Sequence, residues 1–176
     1  MACSAPELSP RAREIVAAAR ELLEAEGPEG LSMRRVADRL GIRAPSIYKH
    51  LPDKQALQAA VISDGFDELA AVFERAVHGA DEPVAALARA YREHATRHPH
   101  LYRLMTERPL DRDRLAPGVE ERAARPLVEA VGDEDAARAL WAFAHGMAIL
   151  ELNDRFPPGA DLGAAWAKGV DAFRRG

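Results

Sequence analysis

The sequence predicts an all-α chain of about nine helices, on three observations. Apolar residues recur at intervals of three and four along most of the 176 residues. Glycine and proline punctuate the chain at helix-length spacings, and no stretch reads convincingly as a strand. With 48% hydrophobic and 30% charged residues, the composition excludes disordered and membrane classes and leaves room for a real core.

The elements follow in order. Ser9 and Pro10 read as an N-cap and first helical position, and Ile15, Val16, Ala19, Leu22 and Leu23 form one face before Gly27 stops a helix over about 10–26. Ser32 caps a short helix that turns Met33, Val36, Ala37 and Leu40 inward and ends at Gly41 as a left-handed C-cap. A third short helix covers about 44–50. Pro52 breaks the chain, and Asp53 caps a helix to about 77 whose Leu57, Val61, Phe66, Leu69 and Phe73 face a core. After a turn at 78–83, Val84, Leu87, Ala88, Tyr91 and Ala95 give a helix over about 82–97, ending near His98-Pro99. Residues 99–106 predict a short helix, and 109–118, charged and bracketed by prolines, a loop.

The helix over about 119–131 contains Pro126 and is predicted to begin late or kink there. Gly132 then precedes Asp133, Glu134 and Asp135, a negative first turn suited to the positive end of a helix reaching about Arg155. Phe156-Pro157-Pro158-Gly159 ends it. The last helix, about 161–174, aligns Leu162, Ala165, Trp166, Gly169, Val170 and Phe173.

Charge distribution narrows the function class. The net charge is −4, but the acidity lies mostly beyond residue 57. Within 30–54, Arg34, Arg35, Arg39, Arg43, Lys49 and Lys54 are opposed only by Asp38 and Asp53, a cationic patch suited to phosphate. The most apolar stretch, Trp141 to Leu150, contains His145 and Gly146 and is about half the length a bilayer crossing requires. No secretory signal pattern opens the chain, and the single cysteine, Cys3, has no intrachain partner. A cytoplasmic chain with no membrane partner is expected.

Residues 33–51 hold two short helices joined by a tight turn, the minimal device for laying a helix across a DNA major groove. Ala37 is small where the helices approach, Gly41 permits the turn, and Ile42 and Ile47 anchor the second helix. Arg43, Ala44, Pro45 and Ser46 open that helix, where side chains reach base edges, and Arg43 can donate two hydrogen bonds to guanine.

From Ile15 to Val61 the chain resembles the DNA-binding domain of the tetracycline-repressor (TetR) family, through the Gly27 and Gly30 pair, "MRRVADRLGI", "APSIYKHL" and "PDK". It departs at Leu51, where phenylalanine is more frequent, and at Pro28 in the loop. The resemblance implies a helix-turn-helix domain over 1–57 and a helical ligand-binding and dimerisation domain over 58–176. It implies phosphate contact from Tyr48 and Lys54 and base or phosphate contact from Lys49, with His50 on the same short helix a further DNA-binding candidate; Tyr48 is alternatively a packed aromatic. Ser32 and Arg34 are placed to meet backbone phosphate.

One short recognition helix per chain calls for a homodimer on a palindromic operator. The resemblance implies dimerisation through the last two long helices, with Trp166, Val170 and Phe173 at the interface; the alternative is that this stripe packs on its own core. Trp141 and His145-Gly146 further resemble a Trp/His-Gly subclass of the family, implying an effector pocket lined by Tyr91, His94, Tyr102, Met105, Trp141 and His145. The same residues also read as ordinary core. A repressor released by an unidentified small molecule is the expected function.

No catalysis and no cofactor are expected. His94 and His98 stand four apart as metal ligands can, but the residues between them lack the glutamate of H-E-x-x-H, and no glycine-rich phosphate loop or nucleophile elbow is present. A metal-sensing regulator and a helical protein-interaction domain with a degenerate DNA-binding fold are the two rival readings.

Overall fold

Local capping chemistry sets where each helix begins. The computed structural model describes residues 8–173, so Cys3 and the end of the expected last helix lie outside the described residues. Among these residues nine α-helices and two short 3-10 turns occur and no strand. They are α1 (Pro10–Glu26), α2 (Met33–Arg39), α3 (Ala44–Tyr48), α4 (Lys54–Val77), α5 (Pro83–Arg97), α6 (Pro99–Thr106), α7 (Val119–Val131), α8 (Glu134–Leu152) and α9 (Leu162–Asp171). Ser9 Oγ accepts from Ala12 N at 3.2 Å, Ser32 Oγ from Arg35 N at 3.3 Å and Asp53 Oδ1 from Ala56 N at 2.7 Å, each satisfying a first-turn N–H that the helix itself cannot. Asp133 and Asp161 cap α8 and α9 in the same way.

Several elements differ from the sequence expectation: α3 ends at Tyr48 rather than about 50 and α9 at Asp171 rather than about 174, with 172–173 in a turn. The α7 helix does not begin late: it runs from Val119 through Pro126 to Val131. Pro126 is fully buried, and burial of its ring offsets the hydrogen bond its missing N–H forfeits. The α8 helix stops at Leu152 rather than near Arg155, because Asp154 adopts φ 50° and Arg155 N closes back on Leu150 O at 2.9 Å, a left-handed ending. The expected loop at 109–118 holds a short 3-10 turn, Arg112–Arg114.

The chain forms two compact units: residues up to Phe66 with His98–Val119, and Asp67–Arg97 with Glu120 onward. This is a division by contact, in which 98–119 group with the N-terminal helices, whereas the boundary expected from the sequence at 57/58 is one of function. In the first unit α1 packs on α2 and α6, and Glu24 on α1 accepts from Leu101 N at 3.0 Å in the first turn of α6. Its core includes Ile15, Leu23, Val36, Ile47, Leu57 and Leu101. In the second unit α5 packs on α8 and α9, around Leu87, Leu140, Ala148 and Trp166. No helix among the described residues is long and apolar enough to cross a membrane.

Candidate nucleic-acid interface

The face that could meet DNA is built by burying its opposite side. α2 packs against α3, with Val36 and Ile47 at 0% exposure and Ala37 at 1%. Gly41 turns the chain between them at φ 64°, a conformation costly for any residue with a Cβ, and Ile42 N donates to Ala37 O at 3.0 Å to close the turn. With Ile47 anchored inward, Arg43, Pro45, Ser46, Tyr48, Lys49 and His50 are exposed and Ala44 is half-buried. Tyr48 is 49% exposed, so the packed-aromatic alternative is not the arrangement found. Lys54 begins α4 and is also exposed.

Electrostatics divides the basic residues into two groups. Arg39 pairs with Glu21 at 2.7 Å and Arg35 pairs with Glu26, both acids lying on α1. Arg34, with a 90% exposed side chain, reaches Asp38 only at 4.0 Å. Among the described residues Arg43, Lys49 and Lys54 make no ion pair. Arg43, Lys49 and Lys54 thus stand without a neutralising carboxylate among the described residues, an arrangement that suits counterion release on phosphate binding. Ser32 spends an oxygen lone pair on its cap, leaving its hydroxyl proton to donate to phosphate. His50 Nδ1 lies 3.5 Å from Ser9 Oγ, tying the end of this segment to the cap of α1.

The residues expected in an effector pocket are distributed over both units. Tyr102 and Met105 on α6 are buried in the first unit at 4% and 7%. In the second unit Tyr91 is buried and stacked with Phe73 at 6.2 Å, and buried His94 holds Nδ1 3.6 Å from Glu68 Oε1. Trp141, expected to line the pocket, is 51% exposed and stacks with His145 at 6.1 Å on the surface of α8. His98, the other histidine of the metal reading, lies 3.9 Å from Glu24 in the first unit.

Two residues expected at the dimer interface are covered within their own chain. Trp166 and Val170 are 5% and 4% exposed because α9 closes on α5 and α8. The Trp166 Nε1–H donates to Glu151 at 3.4 Å, and Arg92 forks onto the same carboxylate at 2.8 and 2.9 Å with its guanidinium 6.0 Å from the Trp166 ring. The Glu151 hydrogen bonds raise the Arg92 pKa above its ordinary value. Phe143 packs between Trp166 and half-buried Phe173, at 5.6 and 6.1 Å.

Comparison with known proteins agrees with this geometry. The family model for bacterial regulatory proteins of the tetR family matches residues 15–61, and the one for the tetracyclin repressor-like C-terminal domain matches residues 84–173. The chain belongs to the TetR family. An HTH-type transcriptional regulator of Mycobacterium tuberculosis is 32% identical over 150 residues, which is 79% of this chain and 69% of that protein. One from Bacillus subtilis is also 32% identical, over 102 residues covering 55% of this chain and 52% of that protein. A solved structure of a protein of unknown function from Rhodococcus sp. RHA1 shares 32% identity with a TM-score of 0.73, covering 93% of this chain and 92% of that one. The Trp141 and His145-Gly146 resemblance falls inside the C-terminal match.

In this TetR-family transcriptional regulator, sequence reasoning missed one set of contacts beside the DNA-binding helices. Arg114, in the segment between α6 and α7, contacts both Asp53 carboxylate oxygens at 3.1 Å. The Ala56 N–H first, and Arg114 beside it, hold the Asp53 carboxyl below the usual aspartate range. Nearby, buried Ser63 accepts from Ala116 N at 3.0 Å while donating to Ala59 O at 2.8 Å. These contacts strap 111–116 along the first half of α4 and border a cavity of about 200 Å³. The one signal in the sequence was Ser63 itself, a lone hydroxyl beside Val61 and Ile62 in α4, where the structure buries it.

Proposed function

We propose that this TetR-family regulator is a repressor that reads a palindromic operator as a homodimer and is released by a small-molecule ligand. The observation that carries the DNA half is the exposed opening of α3 with three cations, Arg43, Lys49 and Lys54, that no carboxylate neutralises among the described residues. Arg43 stands immediately before the first residue of α3, the position from which a forked guanidinium can meet guanine O6 and N7. Ala44, Pro45 and Ser46 offer the close approach to base edges. Tyr48, Lys49, His50, Ser32, Arg34 and Lys54 serve as phosphate and flanking contacts that set register.

A recognition helix of five residues reads too few bases to find one site in a genome, which supports a dimer with two half-sites. The large apolar groups available for it are on α8, where Trp141 and Leu150, on opposite sides of the helix, are exposed at 51% and 41%. Phe173 lies at the end of the neighbouring stripe. Residues 1–57 then bind DNA, and 58–176 bind the partner and the effector.

The deciding experiment isolates genomic fragments bound by the purified chain and measures their affinity as salt is raised. An affinity falling steeply with salt, with sedimentation as a dimer, is the expected result. No measurable DNA affinity at low salt overturns it and leaves the protein-interaction reading.

A further inference from the structure

We propose that the cavity between α4, α6 and the Arg108–Leu115 segment binds a small organic carboxylate, and that occupation draws Arg114 away from Asp53. The inference rests on the ligand-released repressor reading and gives its effector a site and a chemical class.

Size comes first. A cavity of about 200 Å³ lies below the roughly 300–1,000 Å³ of pockets that enclose drug-sized ligands, so it suits a short aliphatic or single-ring molecule. Its wall is apolar where Ile62, Leu104, Leu110 and Leu115 line it, which suits a hydrocarbon body.

Charge selects the head group. The lining carries two guanidiniums, Arg108 and Arg114, against one carboxylate, Asp111. Asp111 is engaged by Arg114, whose Nε lies 3.3 Å from its Oδ2. Among the described residues Arg108 makes no ion pair and is exposed at the rim. One uncompensated positive charge beside an apolar wall favours a monoanion, and a guanidinium fork matches a carboxylate with two hydrogen bonds.

Position links the site to DNA binding. Arg114 lines the cavity and also holds Asp53, the residue that caps α4 and directly precedes Lys54. The Asp53 side chain is 45% exposed, so water screens that pair. A carboxylate seated against the apolar wall is a less hydrated partner for the same guanidinium. When Arg114 turns inward, the strap loses its hold on the start of α4, while the Ser63 contact to Ala116 N keeps its other end in place. Lys54 then loses the fixed geometry its phosphate contact needs. By linkage, operator DNA weakens carboxylate binding by the same factor by which the carboxylate weakens operator binding.

The test titrates benzoate and hexanoate into the full chain by calorimetry, with benzamide and hexanamide as neutral counterparts of equal size. Saturable binding of at least one carboxylate, weakened on the order of tenfold or more in its amide and in Arg108→Ala, is expected. Arg108 is exposed, so this variant should melt as the wild type does. In Arg114→Gln the bound acid should no longer lower operator affinity. Lack of saturable binding by both acids, equal binding of the amides, or unchanged binding in Arg108→Ala overturns the site. Operator binding without acid separates the two claims. A chain that binds operator but neither acid keeps the repressor reading and loses this site, whereas one that binds acid but no DNA keeps the site and loses that reading.

Discussion

A Cβ placed on Gly169 would lie 2.1 Å from Cζ of Phe143, so α9 approaches α8 at this point only because residue 169 has no side chain. Phe143 has little freedom to retreat, held between the Trp166 and Phe173 rings. Helix propensity alone would favour alanine over glycine by about 1 kcal/mol. Overpacking opposes this and wins: Gly169→Ala is expected to destabilise the chain by about 1–3 kcal/mol. Thermal melting checks it, with a fall of roughly 2–4 °C per kcal/mol. Phe143→Leu in the same chain should recover part of the loss, a coupling that two independent sites would not show. An unchanged melting temperature in Gly169→Ala would refute the close approach.

The two kinds of cation on the DNA face should fail in different ways. Arg43→Ala is expected to cost about 1–3 kcal/mol on the operator and to relax base preference at one position of each half-site. Lys54→Ala should weaken all sequences to a similar degree and reduce the slope of log affinity against log salt by about 1. Arg39→Ala, whose side chain is already committed to Glu21, should change neither. Competition gel shifts at several salt concentrations separate the three, and identical behaviour of Arg43→Ala and Lys54→Ala would sink the assignment.

Asp53 supplies a pH dependence with a definite sign. Its carboxyl is held below the ordinary aspartate range, first by the Ala56 N–H and then by Arg114. A folded-state pKa below the unfolded one means the carboxylate stabilises the fold fully above the unfolded pKa, and the contribution is lost as pH falls through the folded pKa. Asp53→Ala should therefore melt lower than wild type at neutral pH, and the gap should close in strong acid. Asp53→Asn, which keeps an oxygen for the cap but loses the charge, should fall between the two. A gap that widens in acid contradicts the sign.

The exposed Trp141 and Leu150 on α8 support a prediction on assembly. A charge placed among apolar groups at a protein interface is left unpaired and dehydrated, so Trp141→Glu or Leu150→Lys should raise the dimer dissociation constant by roughly tenfold or more. Sedimentation at several concentrations reads this directly. Because both residues are exposed in the single chain, the folded state itself should be little affected. A dimer of unchanged stability in both variants would place the interface elsewhere.

The sequence by itself determined the helices and their caps. Ser9, Ser32 and Asp53 each accept a hydrogen bond from a backbone N–H three residues on, and the Gly41 turn spans a few residues. Such features are set by neighbours a turn or less away, and their chemistry is therefore written in the local string. Tertiary structure alone decided which apolar stripe is covered. Trp141 and Trp166 both lie on helices with apolar faces, yet α9 carries Trp166 in against α5 and α8 while Trp141 on α8 stays in water, since burial depends on what packs against a face. It also decided that Arg114 meets Asp53, 61 residues earlier, and that the Arg114 segment and α4 border an open pocket. No periodicity or spacing encodes a meeting of that kind, because the strap must first be laid along α4 before either charge can find the other.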